Sequence, residues 1–381
     1  MNASAGVSSG RQRGVTGGIV LVMVALALIF FGKYPHLLPL SEEQIAKFGG
    51  PIDSDGVRNV KGIIGSEKQP YFDDPAVQKR LEELGFKVSV TTAGSREMAQ
   101  SEDLNRVDFL FPSSAPAADN LAMRLGSAEK IEPFYSPMAI ATFAPVVDVL
   151  EREGIVHYDG ERPIMDVKAY VNLAEEGKRW NELGPEVPSP RPVLITSTDI
   201  RKSNSAAMYL SLLTWSLAEE KPEITNYPSM MAKDLLPFFS GQGYTQSSSA
   251  GPFADYLGKG IGAAPMVMIY EAQYVEEAMA EHSRLGPENR LVYPSPTVVA
   301  SHTVVARTDK GKDLGHALAE DPQLQELAAR HGFRPSHSGD LAQVASEHGL
   351  VVPENIMDTV PPPTYNVLDR LITEVGSAYG N

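Results

Sequence analysis

Apolar and polar positions along this chain follow two periods, and the period switches repeatedly. Val60 to Ile64 form a short apolar run closed by Gly65 and Ser66. In "DDPAVQKRLEELG" the apolar positions Val77, Leu81 and Leu84 share one helical face. Asp74 suits the N-cap, Pro75 the first helical position and Gly85 the C-terminal stop. Phe86, Val88 and Val90 then alternate as in a strand. Strand, helix and strand within about 35 residues make a βαβ unit. Val107 to Phe111 predict a further strand, and "AADNLAMRLG" predicts the next helix.

The alternation continues to the C-terminus. Met138 to Phe143 predict a strand, followed by a helix in "APVVDVLEREG". Helical patches lie in "SMMAKDLLPFFSG" and "SSAGPFADYLGKG", a strand in "AAPMVMIYEAQ" and a helix in "YVEEAMAEHSRLG". "NRLVYPSPTVVASHTVVARTD" reads as two extended runs broken by Pro294 and Pro296. Helices in "KDLGHALAEDPQLQELAARHG" and "VLDRLITEVGSAYG" close the chain. This pattern predicts an α/β protein of two lobes. Residues 57–143 and 300–381 form lobe one, and 144–299 form lobe two. Two extended connections, near Ala144 and Ala300, then make a hinge with a central cleft between the lobes.

The first 56 residues follow a different rule. Gly14 to Gly32 carry no charge over 19 residues, against about 20 needed to span a bilayer. Arg11 and Arg13 precede the run and Lys33 follows it. The expectation is a cytoplasmic N-terminus over 1–13, a transmembrane signal-anchor over 14–33 and a linker over 34–56. The rest of the chain then lies outside the cytoplasm, held at the cell membrane by a single pass. A cleaved signal peptide and a buried core helix are the alternatives.

Composition narrows the function. Net charge is −15, with a sequence pI near 5.0. That argues against broad nucleic-acid binding, which needs a basic footprint. It does not exclude a small anion, which answers to the local site. The chain has no cysteine, so it has no disulfide, thiol nucleophile, Cys-based metal site or lipidated cysteine. Its 8 histidines include no H-E-x-x-H pair. No cofactor is implied.

Candidate binding chemistry sits where strands end. In open α/β sheets, ligands gather at the carboxyl ends of strands, where helices begin. Three such ends carry small polar residues: "GSEK" at 65–68, "AGSRE" at 93–97 and "PSSAP" at 112–116. Hydroxyls and backbone N–H groups at helix starts cradle anions and polar groups. Ordinary N-capping explains any one of them taken alone. A fourth candidate, "STDIRKSNSAAMYLSLL" at 197–213, reads as a strand end followed by a helix capped by Ser203 or Asn204.

The order of these segments resembles the type II periplasmic, or extracellular, solute-binding proteins, nearest to their molybdate- and sulfate-type branch. "KGIIGSEKQPYFDDPAVQKRLEELGFKVSVTTAGSRE" is similar to the first βαβ of their N-terminal lobe. "STDIRKSNSAAMYLSLL" is similar to the helix that opens on the cleft. "PMVMIYEAQYV" is similar to a lobe-two strand ending at the cleft, and "LVYPSPTVVASHTVVA" to the return crossing. The resemblance implies a two-lobe fold that closes over a small polar or anionic solute. It places Ser66, Ser95, Ser113 and Ser114 on the rim of lobe one, with Ser203, Asn204 and Ser205 facing them.

Other residues bear on the ligand. Glu67 and Lys68 stand beside the first cleft serine, where oxyanion binders present small neutral donors. A carboxylate there repels an oxyanion unless Lys68 or Arg96 compensates it. Arg96 offers a bidentate contact to a carboxylate or oxyanion, or is a solvated helix-face charge. Tyr270 and Glu271 end a strand. Glu271 accepts from a ligand, or pairs with Arg201 or Lys202. Tyr71, Phe72 and Tyr135 pack, or stack on a ligand.

Catalytic motifs are incomplete. "SAEK" at 127–130 matches S-x-x-K without its S-D-N and K-T-G partners. There is no G-x-S-x-G elbow, and "GPFADYLGKG" has the wrong spacing for a P-loop. The expectation is a binding protein, not an enzyme, that serves an ABC-type permease. A ligand sensor or scaffold in an envelope complex is the alternative, and an enzyme on a related two-lobe fold is a third.

Overall fold

The first βαβ unit forms on the apolar runs that predict it. A computed structural model describes residues 58–378, apart from 102–103, 127, 243–245, 337–339 and 357. The expected cytoplasmic segment, membrane anchor and linker lie outside the described residues. Among the described residues, no helix is long and apolar enough to cross a membrane.

β1 (Arg58–Ile64) leads through a single 3-10 turn (Ser66–Lys68) into α1 (Gln69–Asp73) and α2 (Pro75–Glu83). Asp74 caps α2, its Oδ1 accepting from Ala76 N at 2.7 Å. Gly85 has φ 82°, a left-handed conformation that strains any residue with a Cβ. β2 (Phe86–Thr92) follows, then α3 (Ser95–Gln100), β3 (Phe109–Phe111) and α4 (Ala115–Arg124). β1 pairs parallel with both β2 and β3. This arrangement places the starts of the 3-10 turn, α3 and α4 at one edge of the sheet.

β4 (Lys130–Phe143) starts eight residues before the predicted Met138 and is shared by both halves of the structure. Lys130 to Pro137 pair antiparallel with β9 (Val299–Ala306). Met138 to Phe143 pair antiparallel with β7 (Met266–Tyr270) and β8 (Asn289–Ser295). The change of partners falls inside β4, whereas the expected boundary at 143/144 falls at its end. The second connection runs from β8 to β9 through Pro296.

The remainder of lobe two is mostly helical. After β4 come α5 (Ala144–Arg152), a hairpin of β5 (Val156–Asp159) and β6 (Arg162–Asp166), α6 (Val167–Glu175) and α7 (Trp180–Leu183). The sequence pattern does not predict the hairpin. Three of the four β5 residues are exposed, so the strand has little apolar alternation to show. α8 (Asn204–Glu220), α9 (Pro228–Ser240) and α10 (Ala250–Lys259) precede β7, and α11 (Glu271–Met279) follows it. The segment before α8 is not a strand. Thr196 makes one parallel bridge to Val267, and the chain then turns into the helix.

The return to lobe one carries α12 (Asp309–Glu320), α13 (Pro322–Arg330), the short β10 (Arg334–Pro335) and α14 (Leu341–Glu347). The last helix, α15 (Tyr365–Ala378), packs on α9 and α8 of lobe two as well as on α4. Its expected place was in lobe one alone. Its apolar face, Leu368, Leu371, Ile372 and Val375, is buried. The strands follow one hydrogen-bonded path, β2-β1-β3-β9-β4-β8-β6-β5, with β7 and β10 attached to β4.

Candidate functional site

A cavity of about 760 Å³ opens between the strand ends of lobe one and the start of α8. Lobe one contributes Gly65, Ser66, Glu67, Thr92, Ala93, Gly94, Ser95, Glu97, Gln100 and Ser101. Lobe two contributes Arg201, Lys202, Ser203, Asn204, Ser247, Ser248, Ser249 and Tyr270. The walls are therefore polar on both sides.

Three helical segments begin at this cavity, and none has a side-chain cap. Gly65 precedes the 3-10 turn, Gly94 precedes α3 and Ser203 precedes α8, and none of these three cap residues makes a side-chain bond to a backbone N–H of the first turn that follows it. Ser203 does occupy the N-cap position, but its Oγ lies 3.1 Å from Ser205 Oγ. The first-turn N–H groups of a helix need partners from outside it, and their dipoles favour an anion or an acceptor.

The lobes touch across the cavity. Asn204 Nδ2 donates to the Ser113 carbonyl at 2.7 Å and to Tyr270 Oη at 3.0 Å. Ser66 Oγ lies 2.8 Å from Ser248 Oγ. Gly94 lies directly against Lys202: a Cβ there would stand 2.2 Å from the Lys202 carbonyl oxygen. These contacts describe a cleft whose two walls meet.

Behind the lobe-one wall lies a buried charged cluster. The Lys68 ammonium is fully buried. It bonds Glu67 Oε1, donates to Ser113 Oγ at 2.6 Å and stands 3.0 Å from His302 Nδ1. Ser113 Oγ also donates to Glu67 Oε1. Burial alone would raise the Glu67 pKa, but the Lys68 charge and the contacts with Lys68 and His302 together outweigh it and hold the carboxyl far below its ordinary range. Burial pulls Lys68 down, opposed by Glu67. His302 is pushed down to about 4 by burial and by the Lys68 charge, so it is neutral at pH 7. Its Nδ1 then accepts from Lys68, which leaves the proton on Nε2. That Nε2 is buried with no hydrogen-bond partner among the described residues.

The structure sorts the sequence candidates. Ser66, Glu67, Ser95, Ser203, Asn204 and Tyr270 line the cavity. Ser95 Oγ accepts from Ser113 N at 3.0 Å, and Ser113 joins the two lobes through its carbonyl. Lys68 stands behind Glu67 rather than on the wall. Ser114 caps α4, accepting from Ala117 N at 3.4 Å, and does not line the cavity. Ser205 is buried between Ser203 and Thr198, whose Oγ1 is 2.9 Å away.

Two charged candidates turn elsewhere. Arg96 points away from the cavity, donating to Asp369 Oδ1 at 2.9 Å and Thr373 Oγ1 at 3.1 Å on α15. Asp369 supplies the nearer opposite charge, so the guanidinium is occupied by the protein itself. Glu271 pairs with neither Arg201 nor Lys202. It is fully buried against Arg334, with Nε–Oε2 at 2.6 Å and Nη2–Oε1 at 2.9 Å, and accepts from Tyr293 Oη at 2.6 Å. Arg201 instead holds Asp199 bidentately, at 2.9 and 2.6 Å. Tyr71 and Phe72 are core residues.

The sequence reading missed Glu97, Gln100, Lys202, the serines 247–249 and the role of His302. "QSSSAGPF" does carry a signal, a serine run immediately before a helix. His302 carries only a weak one, a lone histidine in an apolar strand.

No family model matches the sequence, and no curated protein matches it. Solved structures do match the fold. The periplasmic binding protein P5PA is 14% identical, over 83% of this chain and 99% of that one, with a TM-score of 0.52. The apo ferric ion-binding protein A of Pasteurella haemolytica is 14% identical, over 84% and 95%, with a TM-score of 0.50. The periplasmic binding protein AfuA of Actinobacillus pleuropneumoniae, solved with fructose-6-phosphate, is 14% identical over 83% and 97%, also at 0.50. All three are binding proteins, and this chain has their two-lobe α/β fold.

Proposed function

We propose that this chain is an extracytoplasmic solute-binding protein. It captures a small polar or anionic ligand between its lobes and presents it to an ABC-type permease. The single observation that carries this reading is the cavity itself. Both lobes line it, three helical starts whose cap residues make no side-chain bond to a first-turn N–H open on it, and the Asn204–Ser113 and Ser66–Ser248 hydrogen bonds join its walls. The ligand replaces its hydration with these donors, and closure over it is the functional event. The matching structures support this role, being binding proteins of the same architecture. The uncharged segment from Gly14 to Gly32 holds the domain at the membrane.

That same segment favours a second role on the same site. A retained anchor suits a sensor or scaffold subunit that reports occupancy to an envelope partner. Thermal melting of the chain against oxyanions, carboxylates, sugar phosphates, sugars and amino acids tests the binding function. A ligand at 100 times its Kd adds about 2.7 kcal/mol. A panel without any shift in melting temperature removes both roles.

A further inference from the structure

We propose that the cleft selects a small organic anion that also carries a hydroxyl or ammonium group, and that Glu67 accepts the hydrogen bond from that group. The inference deepens the solute-binding reading and rests on it.

Glu67 is the first observation. Its side chain is only 7% exposed and it lines the cavity. Oε1 is engaged by Lys68 and Ser113. Among the described residues, Oε2 has no hydrogen-bond partner. An ionised carboxylate can only accept, and a polar atom that loses its water to a ligand without gaining a partner is costly. A ligand that fills the cavity must therefore bring a donor to this oxygen. A fully deprotonated inorganic oxyanion brings none and adds like-charge repulsion.

The opposite wall supplies the other half. The start of the 17-residue α8 has no side-chain cap. Lys202 lines the cavity beside it; among the described residues its ammonium makes no hydrogen bond or ion pair, and its charge acts on Asp199 from a distance. This wall offers donors and positive charge, so it takes the anionic group. The cavity thus asks for a negative group and a donor group on one molecule.

Size agrees. A cavity of about 760 Å³ falls within the range of about 300–1,000 Å³ that buries whole organic ligands. A five-atom oxyanion would leave most of it to water.

The test uses paired probes on the full chain at neutral pH, by calorimetry and thermal melting: malate against succinate, glycerol phosphate against propyl phosphate, serine against propionate, with sulfate, molybdate and glucose alongside. In at least one pair, the member that carries the donor binds more tightly by about tenfold or more, and it outranks sulfate, molybdate and glucose. Glu67→Gln, which removes the charge, shrinks that preference. Because this variant also unpairs Lys68, the comparison in the unaltered protein is decisive on its own. Equal affinity within every pair, or strongest binding of sulfate, molybdate or glucose, overturns the proposal and leaves solute binding intact. Silence from every probe and from the wider panel overturns both.

Discussion

Asn204, the first residue of α8, donates its side-chain amide across the cleft to the backbone carbonyl of Ser113 at 2.7 Å. The same nitrogen reaches Tyr270 Oη at 3.0 Å. One side chain thereby ties the second lobe to the strand end of the first. Both partners are buried. Asn204→Ala leaves the carbonyl and the hydroxyl unpaired, a loss of about 1–3 kcal/mol. Urea unfolding should show it as a lower midpoint. Asn204→Asp should not restore it, because an ionised carboxylate cannot donate.

Gly94 offers a cleaner way to separate closure from folding. Its φ of −68° is ordinary for any residue, so alanine costs no backbone strain there. The added Cβ would meet the Lys202 carbonyl at 2.2 Å. Gly94→Ala should hold the lobes apart and weaken ligand binding by about tenfold or more, the cost of losing about 1.4 kcal/mol of closure energy. Parting the lobes also breaks the Asn204 and Ser66 contacts, so its urea midpoint should fall no further than that of Asn204→Ala. Small-angle scattering should show a larger radius of gyration for the liganded variant. An unchanged affinity would count against closure at this point.

The Lys68–Glu67 pair predicts a double-mutant cycle. Lys68→Met leaves a carboxylate buried without its counter-charge, which destabilises by about 3–5 kcal/mol. Adding Glu67→Gln removes that charge, so the double variant should recover much of the loss. Chemical denaturation of the two single variants and the double reads the coupling directly.

Two histidines should bend the pH–stability profile in opposite directions. His302 has its folded pKa lowered to about 4, against an ordinary value of 6.5. The unfolded chain therefore takes up the proton first. Stability from this group is present above pH 6.5 and is lost as the pH falls through about 4. The loss is about 3 kcal/mol at most, at about 1.4 kcal/mol per unit. His302→Gln should flatten that limb.

His331 does the reverse. Burial opposes its charge, but Glu276 on α11, at 2.6 Å from Nδ1, and Asp74 at the start of α2, at 3.0 Å from Nε2, raise its pKa. Its contribution is fully present below 6.5 and is lost as pH rises through the raised value. His331→Gln should therefore lower stability in mild acid and remove the alkaline decline. Urea midpoints measured across the pH range separate the two limbs.

Much of lobe one is legible in the sequence because its structure is local. Asp74, Pro75 and Gly85 mark the ends of α2 through bonds and dihedrals within a few residues. The serine-bearing strand ends follow from β1, β2 and β3 being parallel, which puts their carboxyl ends on one edge. The hairpin was not legible at β5, because three of that strand's four residues are exposed and carry no alternation. The division of β4 between two sets of partners leaves no mark either: Pro137 and Met138 are both buried.

The sequence by itself determined the elements, the small polar residues at the helical starts, the acidic charge and the absence of cysteine chemistry. Those depend on residue identity and on short-range geometry. Only the tertiary structure decided which charges face the cavity. Arg96 and Glu271 look available in the sequence, yet Asp369 and Arg334, 273 and 63 residues away, hold them. Long side chains go to the nearest opposite charge in space, and no spacing along the chain encodes that distance. Glu67 remains at the cleft because Lys68 and Ser113 satisfy one of its oxygens from behind and leave the other open.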